Sequence, residues 1–282
     1  MKGKSLFQKL AAVPHSVWVV MFISAPLLFV LYFAFIDSNG KFSFSNIAEL
    51  SQYGNVFILS IAFALIATVV CLLIGYPLAY FMSKQSPRAQ KILLVLVMLP
   101  MWCNLLIRTY ALMALLDNGG LLNSLLESIG LPKLTIVGTN FGVILGMVYD
   151  FLPYMVLPIF TSMTKLDYKY IEASHDLGCN AWQTMTKVIM PLTASGVISG
   201  ITMVFVPSIS TFYISQKLGA GKIDLVGDTI ERLFQNTSTY GVGAAMSLVM
   251  MILILISVGI MNRFSNDDDE SDRAKKRGGL IK

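Results

Sequence analysis

Apolar residues occur in long runs along this chain, separated by shorter polar stretches. A helix that crosses a bilayer needs roughly 20 mostly apolar residues, and backbone groups in lipid must form their hydrogen bonds within their own segment. Six runs reach that length: about 17–36, 55–83, 92–116, 136–163, 188–214 and 242–264. The sequence therefore predicts an all-α membrane protein with six transmembrane helices in a single domain over residues 1–282.

Composition supports the membrane class. The chain is 55% hydrophobic and only 13% charged, and its mean hydropathy is +0.70, whereas soluble domains are about 25% charged. The first run has no small-residue cleavage site, so we expect it to remain as a helix rather than to be removed as a signal peptide. Within the runs, Gly142/Gly146 and Gly196/Gly200 have the spacing that lets membrane helices approach closely.

The basic residues predict the orientation, because cytoplasmic loops carry the excess of Lys and Arg. With both termini in the cytoplasm, the inner side holds fifteen of them and the outer side five. The inner set is Lys2, Lys4, Lys9, Lys84, Arg88, Lys91, Lys165, Lys169, Lys187, Arg263, Arg273, Lys275, Lys276, Arg277 and Lys282; the outer set is Lys41, Lys133, Lys217, Lys222 and Arg232. This bias explains the net charge of +5, which therefore does not indicate a nucleic-acid partner. The charged segment 265–282 is predicted to be a disordered tail.

One long polar loop, residues 165–191, interrupts the apolar pattern on the predicted cytoplasmic side. Asp167 can cap a short helix, and Gly178 suits the left-handed position that ends one. Trp182, Met185 and Val188 repeat at helical spacing, which predicts a second amphipathic helix leading to Pro191. From the residues alone, the loop is either a surface helix pair without a partner or a docking element.

The chain lacks the sequence marks of an enzyme or a metal site. It contains no phosphate-binding glycine loop, nucleophile elbow or H-E-x-x-H motif. Its three cysteines have no metal-ligand spacing, and its two histidines are far apart: Cys71, Cys103, Cys179, His15 and His175. We therefore expect no catalytic residue, no bound cofactor and no metal, so that energy for any active transport must come from a partner or an ion gradient.

The 165–191 loop resembles the E-A-A…G…I-x-L-P loop of ABC importer permeases. The matching residues are Glu172, Ala173, Ser174, Gly178, Ile189 and Pro191, with Ser174 in place of the second alanine. Further stretches are similar to the permeases of spermidine/putrescine importers: Leu73–Ala79, Leu99–Tyr110, Asp117–Asn123 and Leu152–Pro158.

The resemblance implies a type I importer permease fold in a bacterial cytoplasmic membrane, with the loop folded as coupling helices that dock on an ATPase. It implies two cytoplasmic ATPase subunits that carry ATP-Mg, a second homologous permease, an extracytoplasmic polyamine-binding protein, and a polyamine substrate.

Two charges inside the apolar runs are candidates for the substrate path, because buried charges in membranes usually mark a pathway or a pair. Arg108 lies in the third run and Asp150 in the fourth. Either they form an ion pair that locks two helices, or Asp150 meets a substrate ammonium group. Aromatic faces also bind ammonium groups, and the candidate wall residues are Trp102, Tyr110, Tyr149, Phe151, Tyr154 and Tyr213.

Two alternatives to a polyamine importer permease remain at this stage. One is an ABC permease for another small solute. The other is a stand-alone ion-coupled secondary carrier, although such carriers often show repeated halves and the sequence shows no convincing repeat.

Overall fold

Every regular element in the part of the chain that the structure describes is a helix. The structure is a computed structural model that describes residues 6–36 and 40–278, with the side chains of 13–36, 40–261 and 263. In this part of the chain, Ile36 and Phe42 form one isolated β-bridge and no strand occurs, which confirms the all-α prediction. The helices are α1 (Leu6–Val19), α2 (Ala25–Ala34), α3 (Ser45–Glu49), α4 (Gly54–Ser83), α5 (Pro87–Trp102), α6 (Leu105–Leu116), α7 (Leu121–Ser128), α8 (Asn140–Thr164), α9 (Lys169–Asp176), α10 (Ala181–Thr184), α11 (Met190–Leu192), α12 (Ala194–Ser210), α13 (Tyr213–Leu218), α14 (Val226–Phe234) and α15 (Tyr240–Gly278).

Shorter helical segments join some of these elements. A π-helical turn, Val20–Ser24, carries α1 into α2, and a second, Met185–Ile189, carries α10 into α11. Two 3₁₀ turns, Leu50–Tyr53 and Thr237–Thr239, precede α4 and α15. Helix therefore continues through most of each apolar run.

Five stretches among the described residues are long and apolar enough to cross a membrane, and a bent helix pair makes a possible sixth. The five are Val13–Ala34, Ser45–Ser83, Leu105–Ser128, Asn140–Thr164 and Thr237–Met261. Four of them overlap the predicted spans 17–36, 55–83, 136–163 and 242–264. The remaining predicted spans, 92–116 and 188–214, differ from the structure.

The predicted span 92–116 is not one helix, because α5 ends at Trp102 and α6 begins at Leu105. Between them, Cys103 and Asn104 are extended, and the Asn104 side chain accepts a hydrogen bond from the backbone N–H of Leu106 at 2.8 Å. An asparagine that caps a helix start favours a new helix over continuation of the old one. A continuous apolar pattern does not reveal such a break.

The predicted span 188–214 begins earlier and is bent. Helix runs over Ala181–Leu192 and again over Ala194–Ser210, with an angle of 67° between the two parts. Thr193 stands at the bend, where it is fully buried, and its hydroxyl lies 3.1 Å from the hydroxyl of Tyr76 on α4. The second part of the 165–191 loop is thus continuous with the start of this bent pair.

The described residues divide into two compact units. One contains Val56–Asp228 with the residues from Ile254 onward, and its core lies along α8. An added Cβ at Gly196 would lie 2.8 Å from the carbonyl oxygen of Pro158, and one at Gly200 would lie 2.8 Å from the Met155 sulfur. The Gly196/Gly200 pair therefore seats α12 directly on α8, as its spacing predicts.

The other unit contains the residues up to Asn55 together with Thr229–Leu253. Its small core consists of Ala34, Ala244 and Ala245. The amide of Asn46 donates a 2.9 Å hydrogen bond to the carbonyl oxygen of Ile36, which satisfies a backbone group past the end of α2. A buried asparagine thus holds the connection between α2 and α3.

Helix α15 continues to Gly278, through most of the segment for which the sequence predicts a disordered tail; residues 279–282 lie outside the described part. The order of charges in the sequence gives a physical reason. Asp269 and Asp272 stand four positions before Arg273 and Lys276, and acidic residues four positions ahead of basic ones favour helix.

Candidate coupling loop and substrate path

The first helix of the 165–191 loop starts and ends as its residues predict. The carboxylate of Asp167 accepts a hydrogen bond from the backbone N–H of Lys169 at 3.1 Å. Gly178 has φ +80°, and its N–H donates to the carbonyl oxygen of His175 at 2.9 Å. The next N–H, that of Cys179, donates to the carbonyl oxygen of Ser174 at 3.0 Å. These two bonds close a Schellman motif, in which a glycine avoids the steric cost of the left-handed conformation.

The second helix of the loop begins two residues later with a reciprocal cap. The Asn180 side chain accepts from the N–H of Gln183 at 2.8 Å, and the Gln183 side chain accepts from the N–H of Asn180 at 3.0 Å. This capping box satisfies two backbone donors that the helix start would leave unpaired. The turn 177–180 between the two helices is therefore defined on both sides by local hydrogen bonds.

A buried hydroxyl pair joins the two helices. The Ser174 and Thr184 hydroxyls lie 3.0 Å apart, and both residues are buried. The Ser174 hydroxyl also donates to the carbonyl oxygen of Ile171. The sequence suggests that Ser174, as a small residue, leaves room for a partner surface; in the structure its side chain faces the second loop helix. The serine that departs from the E-A-A pattern thus has an internal structural role.

The outer face of the loop is exposed. Glu172 and Ala173 are solvent-accessible, Leu177 is 85% exposed and Trp182 is 73% exposed. Pro191 is also exposed, at the end of the second helix. The outer face of the loop therefore presents both charged and large apolar side chains.

The base of the loop contacts the turn between α4 and α5. The Lys84 ammonium lies 5.7 Å from the ring centroid of Tyr168 and 5.3 Å from that of Tyr80. The Gln90 side chain donates to the carbonyl oxygens of Ser83 and Gln85 at 2.9 and 3.0 Å, which fixes the same turn. The loop is therefore attached to the helical core at its base and free at its outer face.

Arg108 and Asp150 form an ion pair between α6 and α8. The carboxylate of Asp150 is fully buried, and the Arg108 side chain is 6% exposed. The Thr109 hydroxyl donates to the other carboxylate oxygen at 3.1 Å. Both oxygens of Asp150 are thus engaged, and the residue is closed off in this arrangement.

The guanidinium of Arg108 also bonds two backbone carbonyls. It donates to the oxygen of Pro100 at 3.0 Å and to that of Asp150 at 3.3 Å. Pro100 lies in the last turn of α5, where its carbonyl oxygen also accepts the N–H of Cys103 at 3.2 Å and where a cation is favoured. Arg108 therefore connects the end of α5, the start of α6 and the middle of α8.

The candidate aromatic residues do not form one wall. Trp102 is 73% exposed at the end of α5, and Tyr149 lies beside Arg108, whose guanidinium carbon is 5.9 Å from the ring centroid. Tyr154 contacts the buried Phe151 at 6.3 Å between ring centroids. The structure does bring Tyr110 and Tyr213 together, with ring centroids 5.8 Å apart and an interplanar angle of 77°.

Lys217, which the charge pattern of the sequence places only among the outer basic residues, lies against this tyrosine pair. Its ammonium lies 5.1 Å from the Tyr110 centroid and 5.6 Å from the Tyr213 centroid. The spacing of Tyr213 and Lys217, four residues apart in one short helix, would have placed them on one face. The contact with Tyr110, about a hundred residues earlier, carries no local signal.

Comparison with known proteins decides the class. Residues 72–267, more than half of the chain, match the family model described as "binding-protein-dependent transport system inner membrane component". The chain belongs to this family. It is therefore a permease subunit of a membrane transporter and not an enzyme, and ATP hydrolysis in such systems takes place on a separate subunit. Membership also implies a binding protein and a second permease as partners, and it decides against the stand-alone secondary carrier.

Curated relatives extend over nearly the whole permease. The spermidine/putrescine transport system permease protein PotB of Haemophilus influenzae is 36% identical over 267 residues, which is 91% of this chain and 93% of the relative. PotB of Escherichia coli K12 is 36% identical over 247 residues, or 84% of this chain and 90% of the relative.

Solved structures agree on the fold. A bacterial ABC transporter involved in the import of alginate matches with a TM-score of 0.74 at 18% identity, over 93% of this chain and 95% of the matched chain. The inward-facing MetNI methionine ABC transporter matches with a TM-score of 0.56 at 14% identity, over 76% of this chain and 94% of the matched chain. The permease therefore has the predicted fold of type I ABC importer permeases.

Proposed function

We propose that this permease is a subunit of an ATP-driven importer that moves polyamines, spermidine and putrescine, across the cytoplasmic membrane into the cell. The observation that carries the proposal is the 36% identity to a spermidine/putrescine permease over 91% of this chain. Relatives that align over nearly their full length share the whole membrane domain, including the segments that enclose a transport path.

We further propose that the complete transporter contains two cytoplasmic ATPase subunits, a second homologous permease and an extracytoplasmic polyamine-binding protein. In this arrangement ATP-Mg binds to the ATPase subunits, and this chain binds no cofactor. The sequence supports this division, because it contains no phosphate-binding glycine loop.

The 165–191 loop is the proposed docking element for the ATPase. Glu172 supplies an exposed charge, and Leu177 and Trp182 supply exposed apolar area. The caps at Gly178 and Asn180 and the hydroxyl pair make the loop rigid, so a push on its outer face moves both helices together. A rigid docking element loses little conformational entropy when it binds.

Continuous and closely packed helices connect the loop to the core of the permease. The second loop helix continues to Leu192, bends by 67°, and continues as α12. Helix α12 packs through Gly196 and Gly200 on α8, the helix that carries Asp150. In this proposal, displacement of the loop is transmitted to the core through close-packed helices, because packed interiors transmit strain.

The proposed orientation places both termini and the 165–191 loop in the cytoplasm, in agreement with the fifteen-to-five bias of basic residues. It places α13 and the tyrosine pair toward the outer side, where substrate arrives from the binding protein. Asp150 can meet a substrate ammonium only after its pair with Arg108 opens, so it is a candidate for a later stage of transport.

The decisive experiment is reconstitution of the complete transporter in proteoliposomes. ATP hydrolysis and uptake are measured with spermidine, putrescine, cationic amino acids and neutral solutes, each with the binding protein present. Stimulation by polyamines alone supports the proposal. Stimulation by another solute and not by polyamines would assign the permease to that solute.

The docking role is tested in the same system. Glu172→Lys reverses an exposed charge on the loop, and Glu127→Lys makes the same change on α7, at the proposed outer side. We expect the first variant to lose ATPase association or to uncouple hydrolysis from uptake, and the second to associate normally. Normal uptake by Glu172→Lys would remove this residue from the docking surface.

A further inference from the structure

The tyrosine pair formed by Tyr110 and Tyr213 already holds an ammonium group, that of Lys217. Tyr110 is 45% exposed, and Tyr213 and Lys217 are partly exposed. The site is therefore open on one side, and a cation from outside can reach the rings. A cation over aromatic rings gains electrostatic attraction from the ring quadrupole.

The fold positions the two tyrosines independently of Lys217. On α13, the buried residues Ile214 and Leu218 pack against α8 at Gly146, where an added Cβ would lie 2.9 Å from the Ile214 side chain. Tyr213 and Lys217 each precede one of these buried residues and are thus directed to the neighbouring side of α13. Tyr110 follows two residues after Arg108, whose ion pair anchors α6 to α8.

The chemistry of Lys217 is informative in a polyamine permease. A lysine side chain is a chain of four methylene groups with a primary ammonium at its end. The aminobutyl end of putrescine or spermidine is the same group. A site that accepts the Lys217 ammonium over two rings therefore has the shape and charge to accept the end of a polyamine.

We propose that Tyr110 and Tyr213 form a subsite for the primary ammonium end of an aminobutyl chain, and that Lys217 occupies this subsite until substrate displaces it. The inference rests on the proposed function, since it takes a polyamine as the substrate. Lys217 then acts as a tethered competitor, which lowers the apparent affinity of the permease for amines and helps to prevent retention of substrate at the rings.

The size of the effect follows from occupancy. The apparent affinity for an incoming amine falls by the fraction of time that the subsite is vacant. If Lys217 occupies the rings about four-fifths of the time, its removal strengthens amine binding about fivefold. A free amine that copies the lysine side chain, n-butylamine, reports this change directly as an inhibitor of uptake.

The experiment compares Lys217→Met with the unsubstituted permease in the complete reconstituted transporter, with the same binding protein in both. The readout is the n-butylamine concentration that halves the uptake of radiolabelled spermidine, with spermidine held well below its KM so that tighter spermidine binding does not mask the change. We expect this concentration to fall about fivefold in Lys217→Met. Lys217→Gln gives the same comparison with a polar side chain, should the methionine variant assemble poorly.

Two controls separate the subsite from a general charge effect. Lys222→Met removes the same charge from an exposed position five residues away, and we expect it to leave the inhibition unchanged. In a Tyr110→Leu background, Lys217→Met should change the half-inhibitory n-butylamine concentration less than twofold, because the nearer ring is gone.

The inference is overturned if the half-inhibitory n-butylamine concentration is the same for Lys217→Met as for the unsubstituted permease. It is also overturned if Lys222→Met lowers that concentration equally, or if Lys217→Met still lowers it about fivefold in the Tyr110→Leu background. Absence of ATP-dependent polyamine uptake by the unsubstituted transporter would instead reject the proposed function.

Discussion

The ion pair between Arg108 and Asp150 makes the most quantitative prediction. The perturbation is a double-mutant cycle with Asp150→Asn, Arg108→Met and the combined variant. Asp150→Asn keeps the side-chain shape but leaves a buried guanidinium without its counter-ion. Arg108→Met keeps much of the side-chain volume but leaves a buried carboxylate.

The contacts in the structure predict how much unfolding free energy each of the three variants loses. Removing one partner of a buried pair costs about 3–5 kcal/mol. In Asp150→Asn the guanidinium retains its bonds to the Pro100 and Asp150 carbonyls, so we expect about 3 kcal/mol. Arg108→Met also loses those two bonds, worth about 1 kcal/mol each, so we expect about 5 kcal/mol. The double variant loses only the carbonyl bonds and should cost about 2 kcal/mol.

Each variant of the cycle is measured in two assays, one for the thermal stability of the purified transporter and one for spermidine uptake. The control is the exposed pair of Lys133 and Glu127, with 3.1 Å between charged atoms, for which a coupling below about 1 kcal/mol is expected. Loss of uptake in Asp150→Asn without loss of stability, and without repair by Arg108→Met, would contradict the structural role and indicate a substrate contact.

Three further predictions concern the 165–191 loop and the topology. Gly178→Val should lower ATPase association in pull-down assays, because a β-branched residue at φ +80° costs at least about 1–2 kcal/mol; unchanged association would show that the loop end is not needed. Ser174→Ala should lower stability by about 1 kcal/mol through the lost hydroxyl pair, as measured by thermal unfolding, whereas an unchanged midpoint would mean that the pair contributes nothing. In a Cys103→Ser background, a cysteine at Lys222 should react with an impermeant thiol reagent in intact cells and Cys179 should not; the reverse pattern would invert the topology.

Features that depend on neighbouring residues were predictable from the sequence. Asp167 and Gly178 act within one or two turns of chain, and the structure shows both interactions where local rules place them. The close contact of α12 with α8 through Gly196 and Gly200 follows from small residues four apart. In each case the deciding interaction is either local or set by side-chain size alone.

Features that depend on distant residues were not predictable in the same way. The break at Cys103 and Asn104 interrupts an apolar run, and hydropathy carries no information about the Asn104 cap. The sequence left two roles for Asp150, because the contact with Arg108 joins residues 42 positions apart. The position of Lys217 over Tyr110 likewise depends on how α13 packs beside α6.

The break and the buried charges have one physical explanation. Backbone groups at membrane depth need partners within the protein, and at the end of α5 the Pro100 carbonyl oxygen accepts the N–H of Cys103 at 3.2 Å. Arg108 donates a second hydrogen bond to the same carbonyl, and Asp150 compensates the charge that Arg108 brings into the core. The two charges thus have a structural role at the helix break, where they join α5, α6 and α8. The aromatic pair on α6 and α13 has no comparable structural need, since its ammonium is partly exposed. For the proposed polyamine substrate, recognition is therefore better sought at Tyr110, Tyr213 and Lys217 than at Asp150.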